Sequence, residues 1–426
     1  MDRDAMTVVP EAATAHQIPR RERANAFRAL RSRPFRWYFA GQIASASGTF
    51  VQATAVGWLV LQLTGSPASL GVVLAAGGVP PLLFGPWGGV VADRVDLRRL
   101  LIGTQVVSGL LAAILWAAAV TGRAGIPLVI GVTVAGGVVQ IVDSPARQAF
   151  VAQLVPPTDL ASAASVNGVV MNSARVVGPA LAGLLIAFIG TTPCFAVNAI
   201  SYLAVVGALV AIRPTAPATA AVRARSDGVL SALRYARTRQ QLWLPLTMMA
   251  LVGLFAFNFP VLLPVLAERT FHGTGGTYGL LSTMLSIGSV GGSLAVGLVR
   301  HPRRTYLVTT AAAFGISLAA TAVVPNLATA CTALIATGFA GFSFVTMAST
   351  ALQLHADPSY RGRIMALWVF VFLGTTPIGS LITGWIIDAS GPRAALLVGA
   401  LSCLVAAAIA GRVRTPPHPD GPDGPE

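Results

Sequence analysis

Three groups of residues in this sequence have the types and spacing to do chemistry. The first lies in GGVVADRVDLRRL, residues 88–100. There Gly89, Asp93, Arg94, Asp96, Arg98 and Arg99 share a stretch that is otherwise free of charge from residue 37 to 122. A carboxylate one helical turn after a glycine can bind the positive end of another helix, and arginines beside it can pair with acids across a gap. The second group is Asp143 and Arg147, four residues apart, a spacing that permits an ion pair or a proton site. The third is Arg175, alone in an apolar run, where a charge is by default a functional candidate. Asn167, Met171 and Gly178 share its helical face, and Asn172 lies beside it.

Other chemistries are missing. All 29 basic residues are arginine, so no Gly-x-x-x-x-Gly-Lys-Ser/Thr phosphate loop can be written. The three cysteines, Cys194, Cys331 and Cys403, match no metal-ligand spacing, and the five histidines lie in tails, loops or helix ends. The sequence therefore predicts no enzyme, no cofactor and no metal site.

The elements that must position these residues follow from composition. The chain has 426 residues, 54% hydrophobic and 10% charged. A soluble protein carries about 25% charged residues. The apolar residues gather in runs of roughly 20, the length a helix needs to cross a bilayer, and they do not alternate as strands would. Twelve runs are expected, near residues 37–64, 68–92, 100–121, 126–147, 160–189, 193–212, 242–266, 277–299, 305–324, 328–350, 364–387 and 394–411. An all-α membrane protein is expected, with six-helix bundles at 35–212 and 242–411. A basic segment (1–34), a linker (213–241) and a disordered tail (412–426) complete the chain. Residues 1–34 lack the apolar core of a signal peptide. The linker ends in a short helical pattern containing Leu230, Leu233 and Tyr235, read as a solvated connector.

The net charge of +14 would suit nucleic acid, but its distribution argues for a membrane instead. With the N-terminus inside, Arg123, Arg269 and Arg393 fall outside, Arg175 falls within a span, and the other 25 arginines fall inside. This asymmetry predicts both termini in the cytoplasm, with the basic face toward anionic lipid. The halves also echo each other: Pro179 and Pro377 precede glycines in spans five and eleven, as in a duplicated transporter with its pathway between the halves.

Two sets of uncharged residues are candidates for lining that pathway. Gln42, Ser45, Thr49 and Gln52 form one polar stripe on span one, which suits a cavity or a helix contact. In span seven, Phe255, Phe257, Asn258 and Phe259 precede Pro260 and offer aromatic walls with one amide for a large apolar ligand.

The 88–100 stretch resembles the loop signature of the major facilitator superfamily, placed between spans two and three as in that family. Gly89, Asp93, Arg94, Arg98 and Arg99 match it, while Asp96 replaces a glycine. DSPARQAFVAQLVPPTDLASAASVNGVVMNSARVVGPALAG (143–183) and PSYRGRIMALWVFVFLGTTPIGSLITGW (358–385) resemble the enterobactin-exporter and multidrug-efflux branch. Gly178, Pro179 and Gly183 are similar to the antiporter motif of exporters, although Ser165, Ala174 and Ala182 replace its glycines.

The resemblance implies the major facilitator fold. It also implies a secondary active exporter of small amphipathic or lipophilic molecules (a drug, siderophore or metabolite) in the inner membrane. Such a protein would be a monomer working by alternating access, with a proton as the coupled ion, membrane lipid around it and no nucleic-acid partner. Asp93 would close the cytoplasmic gate near Arg147, Gly362 and Arg363. Asp143 would be the first candidate for the proton, since no span carries a mid-membrane acid. The alternatives are a proton-coupled importer of a small nutrient, which would need a strongly charged pocket, and a membrane sensor or enzyme, which would need a catalytic set or an added soluble domain.

Overall fold

The computed structural model describes residues 28–212, 229–297, 299 and 304–412. Twelve of its helices are long and apolar enough to cross a membrane. The first six are α1 (Arg33–Thr64), α2 (Pro67–Ala92), α3 (Leu97–Val120), α4 (Ile126–Leu154), α5 (Leu160–Phe188) and α6 (Thr192–Ala211). A short helix, α7 (Val229–Arg237), precedes the second set. Span seven is divided into α8 (Gln240–Phe255) and α9 (Phe259–Val265), extended by a π-helical turn over Leu266–Thr270. The rest are α10 (Gly275–Gly297), α11 (Arg304–Val323), α12 (Leu327–His355), α13 (Arg361–Ser390) and α14 (Pro392–Arg412). With an even number of spans, α1 begins and α14 ends on one face, here called the terminal face; the opposite one is the far face.

Local chemistry sets the ends of these helices. Ser32 caps α1 by accepting from the Phe35 amide, and Gly65, at φ 62°, closes it with a bond from its amide to the Leu61 carbonyl. Ser66 then caps α2, with Pro67 in its first turn. The break in span seven has a plain cause. Pro260 has no amide to give and disfavours helix just before it. The side chain of Asn258 makes up part of the loss by donating to the Leu254 carbonyl at 2.8 Å. Spans four and ten outrun their sequence-based limits, reaching Leu154 and His355: the helix of span four continues past the charge of Arg147, and that of span ten through the uncharged turn at 351–355.

The halves meet along two seams, α2 against α13 and α5 against α10. The connector also differs from its expected form. On α7, Ala232 and Ala236 are buried, and Tyr235 stacks on Tyr360 with ring centres 4.1 Å apart. Arg239 pairs with Asp357 at 3.0 Å. The helix is thus docked on the second bundle, because its alanines and tyrosine have an apolar surface to cover.

Candidate functional site

The side chain of Arg175, on α5, crosses to the second half. Its guanidinium carbon lies 4.7 Å from the centre of the Phe342 ring on α12. Phe342 packs edge-on against Phe257, which also meets Phe314 and Phe372 at centroid distances of 5.0–6.0 Å. Trp368 stacks parallel to Phe372. An arginine of one half and an aromatic wall of the other therefore share one site between the bundles. Asn167 and Met171, two turns and one turn before Arg175 on its own face, line a cleft of about 520 Å³ together with Asp143 and Arg147. Asn172 is half-buried beside them.

Of the four residues expected in span seven, only Phe257 reaches this wall from its centre. Phe259 packs behind it on Phe257 and Phe314. Phe255, Asn258 and Phe259 border a small crevice toward Leu318, Leu396 and Gly399, inside the second bundle. The helix break turns them away from the interface.

The polar stripe of α1 is also largely occupied. Gln52 accepts from Asn198 of α6 at 2.8 Å, and the Thr49 hydroxyl bonds the Ser45 carbonyl and lies 3.4 Å from that of Tyr202. Ser45 is buried. Gln42 accepts from Arg147 of α4 at 3.2 Å. These residues brace helices of the first bundle, and the stripe is a packing seam more than a wall.

Asp143 is the centre of a buried polar cluster and is itself 5% exposed. One carboxylate oxygen accepts from the Thr104 hydroxyl at 2.7 Å and the Gln105 amide at 2.8 Å. The other pairs with Arg147. Arg147 thus ties Asp143 to Gln42, joining α4 to α1, while Thr104 and Gln105 join α3. Neither of those two α3 residues stood out in the sequence, where a Thr-Gln pair inside an apolar run was the available signal.

The 88–100 loop departs from its expected roles. Asp93 is exposed and has no ion-pair partner among the described residues, and Arg147 is turned into its own bundle. Arg98 donates to the carbonyls of Leu209 and Val210 at 2.7 and 2.6 Å, closing the end of α6 instead of pairing with an acid. Arg94 and Arg99 are exposed. Asp96, at the place of the usual glycine, has ordinary backbone angles and caps α3 by accepting from the Arg99 amide at 2.8 Å. Gly89 faces open space, and the close contact is made instead by Gly88 on the Ile141 carbonyl.

The glycines of the antiporter-like segment sit at interfaces. A methyl group on Gly178 would strike Phe50 of α1, and one on Gly183 would lie 2.8 Å from the Gly279 Cα of α10. A methyl group on Gly279 would in turn lie 2.8 Å from the carbonyl oxygen of Pro179. This seam occupies the far half of the molecule. The far face is closed by polar bonds as well. Asp388 of α13 accepts from the Ala68 amide at 2.9 Å and the Ser66 hydroxyl at 3.0 Å, at the start of α2. Arg269 donates to the Gly65 carbonyl at 2.6 Å and lies 3.6 Å from Asp388. A carboxylate on the N-terminus of a helix of the other half is the contact expected of Asp93, but it is found at the opposite face. With the far side joined in this way and Asp93 unpaired, the halves are held together at the far face.

Two six-helix sets with paired seams and a site between them define a transporter of the major facilitator type. A family model for transmembrane secretion effectors matches residues 24–421, and the chain belongs to that family. It is similar to the staphyloferrin A transporter of Staphylococcus aureus (strain NCTC 8325 / PS 47), at 25% identity over 367 residues, 84% of this chain and 90% of that protein. It is also similar to the multidrug efflux pump Tap of Mycolicibacterium fortuitum, 26% identical over 387 residues, 86% of this chain and 92% of that one. A crystal structure of a bacterial homolog to the human lysosomal transporter Spinster, inward-facing and unoccupied, aligns with a TM-score of 0.72. That alignment covers 89% of this chain and 96% of the other at 13% identity, a likeness of fold.

Proposed function

We propose that this protein is a secondary active exporter of small amphipathic or lipophilic molecules. It works by alternating access in the cell's inner membrane, as a monomer, with the terminal face in the cytoplasm and proton influx as the driving force. The observation that carries the reading is the Arg175–Phe342 site between two halves joined at the far face. A molecule entering from the cytoplasmic side would meet the aromatic wall, and parting of the Gly183–Gly279 seam would release it outside. The names of the relatives, an efflux pump and a siderophore transporter, point the same way.

Asp143 is the proposed proton site. A proton arriving there would break its pair with Arg147 and loosen the Arg147–Gln42 link, changing how α1, α3 and α4 hold together. Protonation at one end of this network would bias which face is open. Cells with and without the protein should differ in resistance to at least one lipophilic toxin, or in secretion of a metabolite. Equal susceptibility and equal secretion across a broad panel would end the export reading.

A further inference from the structure

Arg175 is a cation without a counter-charge among the described residues. The described acids are Asp93, Asp96, Asp159 and Asp357 at the terminal face, Glu268 and Asp388 at the far face, and Asp143, which Arg147 already holds. Among the described residues Arg175 makes no ion pair. Contact with the face of Phe342 compensates its charge only in part. A guanidinium placed over a ring still has its N–H edge, and that fork matches a carboxylate or a similar oxyanion with two parallel bonds. Phe342 lies against the guanidinium, and from it the rings of Phe257, Phe372 and Trp368 follow one another in an aromatic chain that suits an apolar ring. None of the described acids stands there free to receive a cation.

We infer that the site selects organic anions: molecules with an aromatic or lipophilic body and one oxyanion, for which Arg175 supplies the counter-charge and the aromatic wall the surface. This rests on the transport reading and narrows its substrate class. A cation of the same shape would meet an unpaired arginine and bind worst.

The test uses the full chain in lipid nanodiscs and three probes with one ring system: 1-naphthaleneacetate, its neutral amide, and 2-(1-naphthyl)ethylamine. Calorimetry should show the anion binding at least about tenfold tighter than the amide, as expected for charge-assisted bonds, with the amine weakest. Arg175→Gln should erase the difference between anion and amide, since the charge-assisted bonds are lost. Arg175→Lys should keep part of the preference. Equal or weaker binding of the anion by the unaltered protein would overturn the inference, as would its failure to bind at millimolar concentration. That comparison stands even where a variant folds poorly. Efflux of the three probes from loaded cells separates the two claims. Export of amide and amine without any preference for the anion sinks the anion site and leaves export standing. Preferential anion binding with no probe exported sustains the site and sinks export.

Discussion

Asp143 gathers Thr104, Gln105 and Arg147 around one carboxylate, so its substitutions separate two roles. Asp143→Asn retains an acceptor for Thr104 but cannot take up and release a proton. It should abolish uphill pumping and leave downhill movement of substrate intact, as measured by flux with and without an imposed gradient. Uphill pumping by the variant would move the proton site elsewhere. Asp143→Ala should also destabilise the protein, because it strands Arg147. A fully buried pair loses about 3–5 kcal/mol when one partner is removed. The side chain of Arg147 is 30% exposed, which argues for a smaller loss, about 2 kcal/mol, read from unfolding in detergent. Asp93, exposed here, is expected to act when the terminal face closes. Asp93→Asn should impair transport at normal expression, and wild-type flux would remove that role.

Among the elements, the seams carry the most consequence. Gly183 and Gly279 let α5 and α10 touch backbone to backbone on the far side. Gly183→Val should wedge that seam apart and shift the protein toward a far-open state. Spin labels on the far ends of α5 and α10 should then report a longer distance, and an unchanged distance would show that the seam does not set the state. The elements themselves were largely legible: twelve apolar runs became twelve spans, because lipid leaves a chain few alternatives to the helix. The break after Phe255 was foreshadowed by Pro260, but its effect on side-chain direction was not. Which face of α1 meets α6, and that Arg175 reaches Phe342 at the edge of the Phe257, Phe372 and Trp368 rings, depend on contacts between distant helices. Local spacing carries no record of those. Asp96 and Arg98 show the same limit: a motif located the loop, while helix-end geometry decided what each charge binds.

For the whole molecule, the proposed orientation, with the terminal face in the cytoplasm, rests on the arginine distribution. Single cysteines at exposed Arg123 and Thr238 should behave oppositely in intact cells, with only position 123 reacting with an impermeant reagent. Labelling at 238 would invert the topology and with it the proposed direction of transport. In that direction, joined contacts at the far face and an unpaired Asp93 describe one end of a cycle. The other end requires the Asp388 and Arg269 bonds to part. Such a cycle is proposed to exchange outward-moving substrate for inward-moving protons. It is tested most directly in inverted membrane vesicles with an acid lumen, using a compound found by the resistance and secretion comparison and a pH-sensitive dye inside. Proton antiport should make the compound accumulate in the lumen while the lumen loses acid, and an uncoupler should stop both. Accumulation that persists with the uncoupler present would contradict it.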